Sequence, residues 1–512
     1  MNLKITLIAL LSLMSSSTIA QEIAWNESVK KEQKYFYYFQ PVNEKENYSI
    51  SMELGSSIKM LHYTDNVVDG ENTFKLEVDA EKYDDYRTFV VNGNMVFFFS
   101  VGKKENSKVY FQSFDKTCKP LGEPEFAFDL VLGKRESFSK LLSFSQSDNK
   151  KFISVSLTPG KTESSSSKQI FRLYDLNMSM VSEKQYSPDA ELGANYDRIT
   201  VSNTGTVILG YRLPKNLAGN KPYFLHVINT NDKESDFTFE VDDEDSYSDI
   251  HVKVNNETQS VFLVGSFYST KEKAWGSFNA KLDLITNTAS KPVKGFFSSE
   301  FLIKGRTARE KKYYDKLAAK GKHDKYPGSF ELREIIFTED DGIIVIYEHY
   351  RLVIIEKRDS KTNMIVSTTY QHDFNDVILA KFGKQEGFDW TQKIVKRQRE
   401  VNFVYDAGIA VCNDGSNVFI FFNDNIKNYT PEKEFISEGK DIAPMLTSPS
   451  AGCLVLATVD QETGEMKREI KSLQKETKLI CRPHDFQNLP TDGIMLVYAA
   501  NRFSEKFGIF KY

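Results

Sequence analysis

A turn rich in Asn, Asp or Gly, followed at once by a short apolar run, recurs seven times along these 512 residues. Asn92-Gly93-Asn94 stands before Met95–Phe99, Asp148-Asn149 before Phe152–Val155, Asn203–Gly205 before Val207–Leu209, and Asn255-Asn256 before Val261–Val264. Further on, Asp340–Gly342 precedes Ile343–Tyr347, Asn413–Gly415 precedes Val418–Phe422, and Asp492-Gly493 precedes Ile494–Tyr498. Asn, Asp and Gly tolerate the backbone of tight turns, and β-branched and aromatic residues fit a pleated, buried surface, so each occurrence reads as a hairpin. The first three intervals between these runs are 54 to 57 residues and the last three 75 to 82, the excess being what surface insertions add.

A regular interval has room for four strands. In the fourth unit they read Asp249–Val254, Val261–Phe267, Trp275–Leu282 and Pro292–Phe297. Seven units of four short antiparallel strands predict an all-β chain folded as a seven-bladed β-propeller. The last unit offers three strands, Thr477–Phe486, Ile494–Tyr498 and Lys506–Tyr512. An N-terminal segment, Ser57–Tyr63 or Thr73–Val78, is therefore expected to supply its outer strand and close the ring, which removes open sheet edges. The predicted organisation is a signal peptide over 1–20, an N-terminal extension over 21–47 and one propeller over 48–512.

The signal-peptide reading rests on Lys4, the apolar run Ile5–Met14, and small residues at Thr18 and Ala20 before Gln21. The run is shorter than the ~20 residues a membrane helix needs, and no later stretch reaches that length. An exported protein follows: periplasmic, associated with the cell surface, or secreted. The formal net charge of −5 argues against a general polyanion binder, so no nucleic-acid partner is expected. Cys118, Cys412, Cys453 and Cys481 show no CxxC spacing, which leaves buried thiols or one or two bridges open.

The long connections 158–168, 298–329, 350–374 and 423–452 all join strands that place them on one face, the face expected to bind. A helical insertion occupies about 299–329, with a basic helix over Thr307–Lys320 and Gly321 as its stop. Arg87, Arg198, Arg333 and Arg482 recur on predicted inner strands, and Arg212, His349 and Arg502 lie near strand ends. Directed into an axial funnel, these residues could hold an anionic ligand, because guanidinium pairs well with carboxylate or phosphate. Carboxylate pairs for glycoside cleavage meet only in space, and Glu348 with Asp424 is the pair singled out as a candidate. Asp242, Asp243 and Asp245 are the acidic run nearest to a calcium site, but they lack EF-hand spacing, and no metal or other cofactor is expected. The sequence contains no G-x-S-x-G, H-E-x-x-H or phosphate-loop motif.

The second half resembles uncharacterised exported β-rich proteins of the Bacteroidota. Asn375–Ala380, Trp390–Ile394 with Lys396 and Gln398, Phe421–Asn428, and the hairpin Leu454–Asp460 to Met466–Ile470 carry the resemblance. It implies export and a β-rich fold, with a third strand of the fifth unit near Asp376–Phe382 and a fourth near Phe388–Val395. It implies no activity. The leading expectation is a non-enzymatic binding or scaffold propeller for a protein or glycan ligand, and the alternative is a carbohydrate-active hydrolase.

Overall fold

The structure is a computed structural model. It describes residues 22–25, 29–30, 37–43, 45–52, 57–65, 67–102, 107–130, 138–158, 169–187, 195–212, 222–231, 233–240, 245–322, 330–383, 386–402, 404, 406–436, 441–445, 451–489, 493–501 and 504–512. The signal-peptide residues lie outside these ranges. Among the described residues no helix is long and apolar enough to cross a membrane.

The fold is all-β and propeller-like. Among the described residues, strands form eight separate antiparallel sheets, which follow the chain almost in order. The first sheet spans residues 37–74, the second 77–130, the third 142–186, the fourth 195–239, the fifth 245–296, the sixth 330–401 and the seventh 410–473. The eighth takes Ile480–Cys481, Gln487–Leu489, Ile494–Ala500 and Ser504–Lys511, and adds Ile23–Trp25 and Val29–Lys30 from the far end of the chain.

The core lies between sheets rather than within any one of them. Seven apolar clusters join first to second, second to third, and so on to seventh with eighth. This arrangement follows from strand sequences that are apolar on both faces: all ten residues of Ser260–Ser269 are buried, as are eight of nine in Asn417–Asn425. The repeated turns also connect sheet to sheet. The Asn149 amide donates to Asn203 Oδ1 at 2.9 Å, the Asn203 amide to Asn256 Oδ1 at 2.7 Å, and Asn256 Nδ2 to Asp148 Oδ2 at 2.7 Å. The turn residues that announce each hairpin thus also stitch neighbouring hairpins together.

Three expectations are corrected. The seven hairpin units correspond to the second through eighth sheets, and residues 37–74 form a further sheet. Its opening turn carries Asn43 alone, and the strand that follows, Glu46–Met52, alternates Ser49 and Ser51 with Tyr48 and Ile50 instead of giving an apolar run. Ser57–Tyr63 and Thr73–Val78 do not pair with the C-terminal strand. Ile58–Thr64 pairs with Glu46–Met52 and Val67–Phe74 inside the first sheet, while Ile23–Trp25, from the expected extension, pairs with Gly508–Phe510. Finally, 350–374 is a strand hairpin rather than a loop: Ile343–Arg358 and Ile365–Phe382 pair along almost their whole lengths.

The helical insertion is present and firmly seated. Thr307 caps the helix Ala308–Ala318 in a reciprocal box with Glu310, and Gly321 follows at φ +68°. The helix buries none of its own residues. The segment before it is anchored: Lys393 Nζ donates to the carbonyls of Leu302 (2.7 Å) and Lys304 (2.9 Å), and the buried Arg306 pairs with the buried Asp376 at 2.9 Å. The insertion is therefore packed at its base and exposed over its helix.

Candidate functional site

The inner strands of the sixth, seventh and eighth sheets enclose a cavity of about 240 Å³. Arg333 and Glu334 come from Phe330–Phe337, Glu348 from the next strand, and Ile409, Ala410 and Val411 from the seventh sheet. His484, Phe486 and Asn488 complete the lining from the eighth. Its apolar part is a small aliphatic and aromatic floor, and its polar part is a set of charges that are already matched.

The matching arises from strand geometry. Residues two apart on a strand point to the same face, so an acid and a base at i and i+2 meet. Arg333 Nη2 lies 3.1 Å from Glu331, and Nε donates to Glu348 Oε2 at 2.9 Å. Asp249 and His251 repeat the spacing at 2.9 Å in the fifth sheet, and Asp85 and Arg87 at 3.8 Å in the second. Lys253 reaches Glu334 at 2.5 Å. Several of these pairs sit where the inner strand slips register against its neighbour, between Tyr83 and Tyr86, Ser248 and His251, and Leu332 and Glu334. Such bulges re-aim side chains. Burial pushes the Glu331 carboxyl above the usual range; Arg333 opposes this, whereas Asp249 and Glu348 add to it.

Beneath the cavity Glu348 also accepts from Lys396 Nζ at 2.6 Å, and neither side chain has measurable exposure beyond 1%. Lys396 donates on to Gln398 Oε1 at 2.7 Å; Gln398 Nε2 donates to the Asn423 carbonyl at 2.8 Å, and Asn423 Nδ2 donates to the carbonyl of Cys481 at 2.6 Å. This chain of hydrogen bonds ties the sixth, seventh and eighth sheets into one wall.

The expected site residues are distributed differently from the sequence reading. Arg333 and Glu348 line the cavity. Arg482, beside it, lies 3.6 Å from Asp406 and over the Tyr498 ring. Arg87 lies in the second sheet with Asp85, and Arg212 ends the fourth sheet's second strand. The Arg198 side chain and Arg502 lie outside the described residues, as do Asp242 and Asp243. Asp245 pairs with Lys294 at 2.7 Å. Among the described residues no three His, Cys, Asp or Glu are placed to hold a metal ion.

Asp424 is not brought to the cavity. It is fully buried, accepting from Arg468 at 3.0 Å, Tyr429 at 2.9 Å and Asn428 at 2.7 Å, and burial lifts its carboxyl against the pull of Arg468. Glu348 and Asp424 each sit in a closed set of partners. All four cysteines are buried free thiols, and burial pushes them upward, Cys118 and Cys481 to about 12.

His349 faces inward, edge-on to Phe330 and 3.3 Å from Asn375 Nδ2. Burial, reinforced by Arg306, holds its pKa down at about 4. The unfolded chain takes up this proton near pH 6.5 and the folded chain only near pH 4, so stability falls as pH drops through that window, by about 3 kcal/mol. Denaturation midpoints between pH 7 and pH 4 should trace this loss, and His349→Gln should flatten that part of the profile.

Sequence reasoning did not find Lys253, Glu331 or His484. The alternation Glu331-x-Arg333 on an inner strand carried a readable signal, but the cross-sheet partners carried none.

Comparison with protein-family models and with curated proteins returns no match. Among solved structures, prolyl oligopeptidase B from Galerina marginata bound to a 35mer hydrolysis and macrocyclization substrate is 8% identical, with a TM-score of 0.39 over 94% of this chain and 55% of that one. This chain therefore spans about half the length of that enzyme. The polysaccharide lyase Uly1 is 9% identical, with a TM-score of 0.37 over 96% of this chain and 100% of that one. The GH93 α-L-arabinofuranosidase of Fusarium graminearum in complex with arabinobiose is 8% identical, with a TM-score of 0.35 over 74% and 95%. At such values these similarities say nothing about activity.

Proposed function

We propose that this chain is an exported, eight-bladed β-propeller that binds a polar, uncharged ligand, a glycan, at the cavity bounded by Arg333, Glu348 and His484. The ring reading is supported by the unbroken succession of packed sheets and by the sheet that combines both ends of the described chain. Export rests on the N-terminal sequence, and kinship with the exported Bacteroidota proteins rests on the motifs between 375 and 470. The ligand class rests on one observation: the cations beside the cavity already have carboxylate partners, with Arg333 on Glu331 and Glu348, Lys253 on Glu334, and Arg482 near Asp406. Such a wall offers many oriented hydrogen-bonding groups and little net field. It suits hydroxyl-rich ligands better than anions, which favours a neutral glycan over the anionic ligand of the arginine reading.

One observation favours the hydrolase as a second reading. Glu331, raised by burial beside Asp249 and Glu348, has the character of a proton donor. Calorimetric titration with neutral and uronic-acid oligosaccharides, run beside a reducing-end assay, separates the readings. The binding reading expects saturable uptake of a neutral oligosaccharide without new reducing ends, weakened about tenfold or more by His484→Ala as one lost ligand contact. Preference for the anionic sugar would reject the ligand class. Turnover that disappears in Glu331→Gln would replace binding with hydrolysis.

A further inference from the structure

The hairpin of the sixth sheet runs past its neighbours as an arm. Phe330–Phe337 pairs the strand only as far as His349, and among the described residues no strand borders the outer edge of 351–358. A register slip between Glu348 and Tyr350 bends the arm at its base. Leu352, Ile354, Ile355, Ile365, Val366 and Tyr370 on this arm are each between 43% and 58% exposed. Both faces are apolar, since Ile354 stands opposite Tyr370 on one and Ile355 opposite Thr369 on the other. The tip, Glu356–Lys361, is charged, so the arm is not built to enter a bilayer.

An open strand edge invites another strand, and chains usually blunt it with lysine, proline or a bulge. Over 351–355 the only charge is Arg351, which Asp373 already holds at 2.7 Å. We propose that this edge is a self-association surface, on which a second copy of the chain lays the same edge antiparallel across a two-fold axis, joining the two arms into one sheet.

The argument for a second copy is self-complementarity. A two-fold axis normal to a sheet keeps side chains on their own face, so it must pass through a residue paired with its own counterpart. Centred on Val353, the pairing sets Leu352 against Ile354 twice and Arg351, its charge held by Asp373, against Ile355 twice. Centred on Ile354, it sets Arg351 against Lys357, and centred on Lys357 it sets lysine against lysine; directly opposed like charges destabilise a pair. Of these three registers the Val353 one opposes no like charges, and it pairs only apolar residues apart from Arg351, whose charge Asp373 holds. Five paired residues and the flanking faces make less than the ~800 Å² per partner of a standard interface, so the dimer is expected to be weak, with a Kd of about a micromolar or more.

Sedimentation velocity over a wide concentration series tests this, with Ile354→Lys and, as a control, Ile285→Lys, which alters a residue 75% exposed in the turn that follows Ala274–Asp283 of the fifth sheet. Concentration-dependent dimerisation that Ile285→Lys retains and Ile354→Lys loses, with both melting like the parent, supports the proposal. A monomer at every concentration overturns it, as does a dimer that survives Ile354→Lys. Val353→Cys tests the register: facing its own counterpart it should cross-link under mild oxidation, against a background of four buried thiols. Lys357→Cys should not, because that pairing holds the two copies of residue 357 about 27 Å apart along the strands. Cross-linking of Lys357→Cys in preference to Val353→Cys overturns the pairing.

Discussion

Lys396→Ala is expected to lower the free energy of unfolding by about 3–5 kcal/mol, the cost of leaving one member of a buried ion pair without its partner. Lys396 is fully buried, and burial presses its pKa down while Glu348 opposes that shift. Removing the ammonium leaves Glu348 with Arg333 on one oxygen and a void on the other, and takes the hydrogen bond from Gln398, which holds the seventh sheet. The double change Glu348→Leu with Lys396→Met should recover much of the loss, since apolar groups of similar volume often replace a buried pair at little cost. Glu356→Ala, which breaks the exposed Arg358–Glu356 pair, should stay within about 1 kcal/mol. Urea midpoints of the four proteins decide the matter; a Lys396→Ala midpoint near the parent's would mean the network only fills space.

Removal of residues 1–30 is expected to be worse, giving aggregated or unfolded protein. Ile23–Trp25 and Val29–Lys30 cover the outer edge of Ser504–Lys511. Ile23 and Trp25 also pack on the cluster that holds Phe510, whose side chain has no exposure. Without them that strand becomes an open, partly apolar edge, a template for association. Phe510→Asp should reach a similar end, because it places a charge where truncation of a core Phe alone costs about 3–5 kcal/mol. Soluble yield and circular dichroism provide the measurement. A folded protein beginning at residue 31 would show that the eighth sheet stands without its borrowed strands.

Much of the architecture could be read from the turns. Wherever Asn, Asp or Gly supplied the backbone for a tight reversal beside an apolar run, a sheet is present. The first sheet is hard to read because its turn offers only Asn43 and its second strand alternates Ser49 and Ser51 with Tyr48 and Ile50, so no apolar run follows the turn. The arm reads as a loop because the charged stretch Glu356–Lys361 separates its two short β-rich runs, Leu352–Ile355 and Ile365–Tyr370. The cavity was legible only in part. Arg333 could be placed on an inner strand, but its neutralisation depends on Glu348 from the next strand, and the lysine beneath comes from 48 residues further on. Three-dimensional packing sets those partners, and local sequence carries no trace of them.

The eighth sheet also constrains the order in which the molecule can assemble. Ile23 lies beside Phe510, so this sheet requires a contact across nearly the whole chain. Closing so long a loop pays its entropy before the sheet returns any of it, and contacts of high sequence separation form late. The other seven sheets are built from neighbouring strands and can form as their residues become available. The strand at Ile23 remains without its partner until Ser504–Lys511 is in place, so refolding should end in a slow phase reported by Trp25.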